Sequence, residues 1–246
     1  MGLNLHNLGI LGILNDVPFD PESISNMRAW YDVSDPAAVS RTAENINTLT
    51  DKSGNLNSIV QGNGARQPHW IDAVQNGLPI ARFTTEDYLD KTNFASGKHS
   101  QPNTIFVVCK MPTSVNSGVQ AWVFSSPTTT NDRQDFFRED TGATDGYGIN
   151  ADTDLIDNVE TIDDTNILLY TLVYDGVSSS IKKSGVEIES GDAGTSEIGG
   201  MGLNANEPLS VRSGGMDFGE LILYNKLLTA QEESDLEGYF NDKWGL

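Results

Sequence analysis

The chain has 246 residues, and its 15 Lys and Arg against 35 Asp and Glu give a net charge of −20 at neutral pH. This acidic balance argues against a nucleic-acid partner and an anionic membrane surface, since both carry phosphates that bind basic patches. The single cysteine excludes an internal disulfide framework and a cysteine-based zinc site. No apolar run approaches the about 20 residues of a membrane-spanning helix, so we expect no membrane partner. One large domain is expected, because all-β domains often reach this length.

The first 25 residues are predicted to form an extended arm and linker, followed by a single domain over residues 26–246. Residues 1–27 contain no Lys or Arg, and we expect no secretory signal, because such signals begin with basic residues. The apolar side chains of the arm would form an exposed patch unless something covers them. They are Leu3, Leu5, Leu8, Ile10, Leu11, Ile13 and Leu14. Two interpretations stay open: the arm packs on its own domain, or it inserts into a neighbouring subunit.

The body of the chain alternates between runs rich in β-branched and aromatic residues and short turn-forming segments, a pattern typical of strands. Residues 104–111 form an almost unbroken apolar run, as expected for a strand buried on both faces. Asn76-Gly77 and Ser184-Gly185 predict hairpin turns. The acidic segment 132–164 is expected to be largely a solvated loop, with a calcium-stabilised loop as the alternative. The predicted strands are residues 27–33, 78–83, 104–111, 121–125, 135–138, 166–174, 180–183, 186–188 and 216–224.

One α-helix is predicted at the C-terminal end of the chain. Thr229 is a good N-cap and Glu232 completes a capping box, after which Leu236, Phe240 and Trp244 recur at helical spacing. Residues 233–237, Glu-Ser-Asp-Leu-Glu, match the Glu-x-Asp-x-Glu order that some glycoside hydrolases carry on a strand. On a helix the first two of these carboxylates point about 200° apart, so we expect a solvated face rather than a catalytic pair.

Short motifs follow one another in order through residues 27–246. They include Ala29-Trp30-Tyr31-Asp32, Asp51-Lys52-Ser53-Gly54-Asn55, Arg66-Gln67-Pro68, Asn76-Gly77-Leu78-Pro79, Leu172-Val173-Tyr174-Asp175-Gly176 and Gly219-Glu220-Leu221-Ile222-Leu223-Tyr224-Asn225. This ordered set resembles the concanavalin A-like, laminin-G-like domain family, of the kind found on phage virion and bacterial surface proteins. The resemblance implies an all-β fold, a concanavalin A-like β-sandwich (jelly roll) with one C-terminal helix and an extended N-terminal arm.

The same resemblance implies a non-enzymatic structural protein of a bacteriophage virion, as a capsid decoration or a tail-associated module. The arm would attach a homo-oligomer to other virion proteins, and the sandwich would bind host surface glycans. High negative charge suits dense display, because it keeps neighbouring copies apart. We expect the protein in the virion, after synthesis in the host cytoplasm. A glycan-binding adhesion module of a bacterial surface protein is the alternative, and a glycoside hydrolase or lyase is a third.

A glycan site needs an exposed aromatic ring on which the C–H face of a sugar packs, and polar side chains that bind the hydroxyls. Four rings and two polar side chains are candidates, with core packing as the alternative for each ring. The candidates are Trp70, Trp122, Phe137, Tyr147, Arg138 and Asn150.

One structural Ca²⁺ is implied by the resemblance, because laminin-G-like folds often hold such an ion through loop carboxylates and carbonyls. Candidate ligands are Asp32, Asp35, Asp51 and Asp87. The alternative is that these aspartates cap backbone amides in turns. No other cofactor is expected. Cys109 lies inside an apolar run, and we expect a core residue there rather than a nucleophile.

Overall fold

The computed structural model describes residues 18–111, 119–126, 133–140, 145–159, 165–205 and 215–246. These ranges contain 17 β-strands and a single α-helix, which confirms the all-β prediction with one C-terminal helix. No helix within them has the length and apolar character needed to cross a bilayer. The elements are β1 (Met27–Asp32), β2 (Val39–Thr42), β3 (Asn45–Leu49), β4 (Ile59–Val60), β5 (His69–Gln75), β6 (Leu78–Arg82), β7 (Leu89–Lys91), β8 (Asn103–Lys110), β9 (Val119–Ser125), β10 (Asp135–Asp140), β11 (Asp145–Asn150), β12 (Asp154–Val159), β13 (Leu168–Tyr174), β14 (Ser179–Lys183), β15 (Val186–Gly191), β16 (Met201–Leu203), β17 (Asp217–Tyr224) and α1 (Ala230–Trp244).

The first sheet is antiparallel, with the strand order β1–β17–β8–β13–β14–β15. Its central strands β8 and β17 are buried along nearly their whole length. Successive side chains of a strand point to opposite faces of the sheet, so both faces of these strands are covered. This confirms the prediction that residues 104–111 form a strand buried on both sides.

The second sheet runs in the order β12–β11–β10–β9–β16–β7–β4–β3–β2. The β5–β6 hairpin passes between the two layers, because β5 pairs with β3 at one end and β6 pairs with β17. The hydrogen-bonded ladder is therefore continuous around one edge of the sandwich.

Two apolar layers hold these elements together. The inter-sheet core lies between the two sheets and includes Tyr31, Ile105, Val107, Phe124, Phe136, Tyr147, Leu172 and Leu221. The helix layer lies between the first sheet and α1 and includes Trp30, Ile80, Phe106, Ile222, Leu236, Phe240 and Trp244. Strand β8 contributes to both layers, since Ile105 and Val107 point one way and Phe106 the other.

The local sequence accounts for both ends of α1 and for its close approach to the first sheet. The Thr229 hydroxyl accepts a hydrogen bond from the Glu232 amide at 3.2 Å, and the Glu232 carboxylate accepts one from the Thr229 amide at 2.9 Å, which confirms the predicted capping box. Gly245 closes the helix with a φ of 67°. A Cβ at Gly219 would lie 2.8 Å from the Trp244 ring, so glycine lets the ring pack directly on β17.

The acidic segment 132–164 differs from the expected solvated loop, because its described part forms β10, β11 and β12. The β11 sequence, Asp-Gly-Tyr-Gly-Ile-Asn, has low intrinsic strand preference. Its glycines instead make room across the ladder: a Cβ at Gly146 would meet Ile156, and one at Gly148 would meet Phe137. Cross-strand packing thus forms a strand that local composition does not indicate.

The predicted arm lies mostly outside the described residues, and this includes all of its aliphatic residues from Leu3 to Leu14. The described end, residues 18–25, packs on the sandwich. The Tyr224 hydroxyl donates to the Pro21 carbonyl at 2.9 Å, and Ile24 is buried. The boundary between arm and domain stays a prediction.

Candidate functional site

The four candidate rings for a glycan platform are all buried, which matches the alternative of core packing. Their exposed fractions are 5% for Trp70, 9% for Trp122, 0% for Phe137 and 1% for Tyr147. Trp122 and Phe137 face each other across β9 and β10. The Arg41 guanidinium lies over the Trp70 ring, 4.7 Å from its centroid. A covered ring offers no face to a sugar.

The two polar candidates for the glycan site instead form hydrogen bonds between neighbouring strands. Arg138 donates to Asp145 at 2.7 Å within the β10–β11 pair. Asn150 donates to Asp154 at 2.6 Å. Both side chains are buried. Their polar groups therefore hold the second sheet together, and whether they touch a ligand stays a prediction.

Two of the four predicted calcium ligands accept hydrogen bonds from nearby protein donors. One oxygen of Asp51 accepts from the Trp30 amide at 3.0 Å, and the other accepts from the Asn57 amide at 2.9 Å. The Asp87 carboxylate accepts from the Thr84 amide and hydroxyl, both at 2.7 Å. These contacts match the alternative interpretation, in which aspartates organise turns.

The other two candidates are ion-paired. Lys52 Nζ lies 2.9 Å from a carboxylate oxygen of Asp32 and 2.9 Å from one of Asp35. Across the described ranges, no group of three His, Cys, Asp or Glu side chains is placed to hold a metal. The calcium ion stays a prediction that rests on the resemblance alone.

A surface groove of about 500 Å³ lies between α1 and the chain segment that enters the sandwich. We call it the helix groove. It is lined by Pro18, Phe19, Ser234, Asp235, Gly238, Tyr239, Asp242 and Lys243. The half-buried rings of Phe19 and Tyr239 face each other at 60°, with centroids 6.4 Å apart. The groove thus combines aromatic surface with hydroxyl and carboxylate groups.

The position of Phe19 follows from the turn directly after it. Asp20 caps a short 3₁₀ turn over Pro21–Ser23, and its carboxylate accepts from the Glu22 amide at 3.0 Å. The bond from Tyr224 to the Pro21 carbonyl then ties this turn to β17. Phe19 therefore stands on a fixed support beside α1.

Gly238 gives the groove its open space. It lies in the middle of α1, and among the described residues nothing outside the adjacent helix backbone lies within 4 Å of where a Cβ would be. Glycine within a helix costs about 1 kcal/mol relative to alanine, yet neither a positive φ nor a close neighbour requires it here. A side chain at this position would project into the groove.

An ion cluster of Asp32, Glu220 and Lys243 adjoins the groove, which Lys243 also lines. Lys243 Nζ lies 2.7 Å from a Glu220 oxygen and 2.9 Å from an Asp32 oxygen. Glu220 is fully buried, and it also accepts from the indole nitrogens of Trp30 at 2.7 Å and Trp244 at 2.8 Å. These ion pairs and hydrogen bonds link α1 to β1 and β17.

The cluster also fixes the Tyr239 ring in the groove wall. The Tyr239 hydroxyl donates to Glu220 at 2.8 Å and accepts from Lys243 at 2.9 Å. Burial, and then the nearby Glu220 carboxylate, raise the pKa of Tyr239 far above its usual range. The phenol therefore stays protonated and donates to Glu220, and this hydrogen bond fixes the position of the hydroxyl end of the ring.

The two acids of the cluster shift in opposite directions. Burial, and then the charge of Asp32, raise the pKa of Glu220, while Lys243 opposes this shift. Burial also acts to raise the pKa of Asp32, but the Lys243 ammonium and the Ser34 hydroxyl outweigh it and hold this pKa below its usual range. Asp32 is therefore ionised and serves as the anionic partner of Lys243.

The geometry provides little for covalent catalysis. The Glu-x-Asp-x-Glu string lies on α1, as predicted, and Glu233 is ion-paired with Lys182. Cys109 is buried, and burial raises the pKa of its thiol. Ser96 Oγ lies 3.0 Å from His99 Nε2, but among the described residues no carboxylate is bonded to this imidazole.

Comparisons with known proteins place the chain by its fold. No protein-family model matches the sequence, and no curated protein matches it either. The binding domain of Paraclostridial Mosquitocidal Protein 1 superposes with a TM-score of 0.60 at 12% identity, covering 91% of this chain and 53% of that domain.

Two further solved structures share the fold. The ligand-binding domain of botulinum neurotoxin serotype D, in complex with N-acetylneuraminic acid, has a TM-score of 0.57 at 9% identity, covering 87% of this chain and 50% of that one. The sialidase of Trypanosoma rangeli has a TM-score of 0.53 at 10% identity, covering 89% of this chain and 33% of the enzyme. The chain spans about half the length of the toxin domains and 33% of the enzyme. The comparison establishes a β-sandwich fold, which receptor- and carbohydrate-binding proteins share.

Proposed function

We propose that this chain is a non-enzymatic glycan-recognition module whose helix groove holds a sugar. The observation that carries the proposal is the open space over Gly238, bordered by the Phe19 and Tyr239 rings and by Asp235 and Asp242. Sugar C–H faces pack on aromatic rings, and hydroxyls donate to carboxylates.

The rigidity of the groove supports this proposal. Binding is stronger when the site needs no ordering on association. Tyr239 forms two hydrogen bonds with the ion cluster, one donated and one accepted, and Phe19 directly precedes a capped turn. Several solved structures with the same fold are binding domains of toxins, which supports recognition as the role.

We propose further that the sandwich is displayed on a larger particle, the bacteriophage virion being the leading choice. The support is the apolar arm from Leu3 to Leu14, which needs a cover, and the acidic charge of the chain. Mass photometry of the full chain, alone and with purified virion proteins, tests this role. A species that stays monomeric and binds no such protein would count against display.

A glycan array tests the recognition role. The wild-type chain is expected to bind a defined set of sugars, and Gly238→Leu is expected to abolish this binding because its side chain fills the groove. Asn241→Leu is the matched control, since Asn241 is exposed on α1 but does not line the groove. No binding by the wild type, or equal binding by Gly238→Leu, would contradict the proposal.

The same sugars distinguish recognition from hydrolysis. Oligosaccharides that bind on the array are incubated with the full chain, and the products are weighed by mass spectrometry. We expect intact sugars, because the two carboxylates of the groove, Asp235 and Asp242, are seven residues apart on α1, which spaces them about 10 Å along the helix axis, beyond the about 5–9.5 Å that separates the carboxyl groups of glycosidases. A shortened product that Asp242→Asn abolishes would make the chain an enzyme instead.

A further inference from the structure

We infer that the helix groove selects sugars by charge: it favours a sugar that carries a free ammonium group, accepts neutral sugars and rejects sugars that carry a carboxylate. This inference rests on the proposed function and names the class of ligand. It separates this chain from the neurotoxin domain whose structure contains N-acetylneuraminic acid, although the two share a fold.

The cation that lines the groove is already fully used. Lys243 Nζ contacts Glu220 at 2.7 Å, Asp32 at 2.9 Å and the Tyr239 hydroxyl at 2.9 Å. An ammonium has three hydrogens to donate, so no donor of Lys243 remains for a ligand. Recruiting it would break a buried pair and leave Glu220 uncompensated.

The lysines that contact the N-terminal part of α1 are used in the same way. Lys182 is paired with Glu233, and Lys226 is paired with Glu232 at 2.7 Å. Among the described residues that line the groove, Lys243 is the sole Lys or Arg. A ligand carboxylate would therefore enter without a partner that could replace its water.

The anions that line the groove, in contrast, are available. Asp242 is exposed and Asp235 is half-buried, and within the described part of the chain neither makes an ion pair. One oxygen of Asp235 accepts from Gln231 at 2.7 Å, which leaves its charge in place. Aromatic faces also attract cations, so Phe19 and Tyr239 act in the same direction as the two carboxylates.

The experiment uses three sugars that share one ring configuration but differ in charge: the methyl glycosides of glucose, of glucosamine (an ammonium at C2) and of glucuronic acid (a carboxylate at C6), together with the galacto-configured series. Binding to the full chain is measured by ligand-observed NMR at pH 6, in 50 mM and 500 mM salt. We expect the amine to bind about three- to tenfold more tightly than the neutral sugar at low salt, with the difference shrinking as salt screens the charges. The acid should bind at least about tenfold more weakly than the neutral sugar, since like charges repel.

Variants assign the effect to the groove. Asp242→Asn should reduce the preference for the amine over the neutral sugar, because the amide can still accept from a hydroxyl but no longer carries a negative charge. Glu187→Gln, an exposed carboxylate on β15, should leave this preference unchanged. Equal affinity for all three sugars, or tightest binding of the acid, would overturn the inference and leave the glycan role intact.

Two other results would remove the proposed function itself. One is the absence of binding by every member of both series together with identical glycan arrays for the wild type and Gly238→Leu. The other is hydrogen-exchange protection of residues 1–17 that Gly238→Leu abolishes, because the groove would then belong to the N-terminal segment of the chain.

Discussion

The inter-sheet core and the helix layer cover opposite faces of β8 and β17, but their side chains differ in polarity. The inter-sheet core is a cluster of apolar and aromatic side chains. The helix layer places the Asp32–Glu220–Lys243 cluster beside its apolar side chains. The helix groove borders this second layer. The contrast suggests that the first layer specifies the sandwich, and that the second holds α1 in one position for the groove.

The largest expected effect comes from breaking the ion cluster. Lys243→Met leaves Glu220 buried without its cation, while Asp32 keeps its ion pair with Lys52, and removing one partner of a buried pair costs about 3–5 kcal/mol. Lys226→Met, which breaks a more exposed pair with Glu232, should cost about 1 kcal/mol or less. Urea unfolding of both variants measures the difference. Similar losses for the two variants would show that the cluster does not hold α1.

A cavity in the inter-sheet core should cost nearly as much, for a different reason. Leu172 is fully buried there, and Leu→Ala in a core costs about 2–5 kcal/mol through lost burial and an unfilled cavity. Leu172→Met, which nearly conserves volume, should cost less than about 1.5 kcal/mol. The glycan profile of the protein that remains folded should not change in either variant. A changed profile would contradict the separation of the two layers.

Acid should weaken the helix layer in particular. Because the folded pKa of Asp32 is lowered, its contribution is present above the unfolded value of about 3.9 and is lost as pH falls through the lower folded pKa. Asp32→Asn should therefore flatten the fall in unfolding free energy below about pH 4. Asp242→Asn, an exposed carboxylate, provides the comparison. An unchanged acid profile in Asp32→Asn would show that the pair with Lys243 adds no stability.

The smallest expected effect has the opposite sign. Gly238→Ala should stabilise the chain by about 0.5–1 kcal/mol, because alanine suits a helix better than glycine and its Cβ meets open space. Gly219→Ala should destabilise it, since its Cβ would press on the Trp244 ring. Thermal unfolding compares the two. Destabilisation by Gly238→Ala would mean that the groove is not open as described.

The sequence was a good guide wherever the pattern is local. The capping box at Thr229, the hairpin turns and the apolar run of β8 each depend on residues close together in the chain, and each is found. The strands β11 and β12 were missed because their glycines and aspartates indicate loops by composition. Their pairing is decided by packing against neighbouring strands, such as Phe137 of β10 against Gly148 of β11, and the composition of one strand does not indicate it.

The candidate site was much less predictable than the fold. Burial of Trp122 and Tyr147 depends on which face of a strand meets the core, and alternation in one strand cannot decide this. The ion cluster joins Asp32 to Lys243, which are 211 residues apart, so no spacing rule would find it. Gly238 was a usable signal, because a glycine in the middle of a capped helix has a cost that needs an explanation.

The most direct test of the helix groove is a ¹⁵N-resolved NMR titration of the full chain with the best sugar from the glycan array. We predict chemical-shift changes concentrated at Phe19 and at residues 234–243, which saturate together and disappear in Gly238→Leu. Changes centred on the second sheet, around Trp122 and Phe137, would contradict the account and return the binding site to the residues that the sequence first indicated.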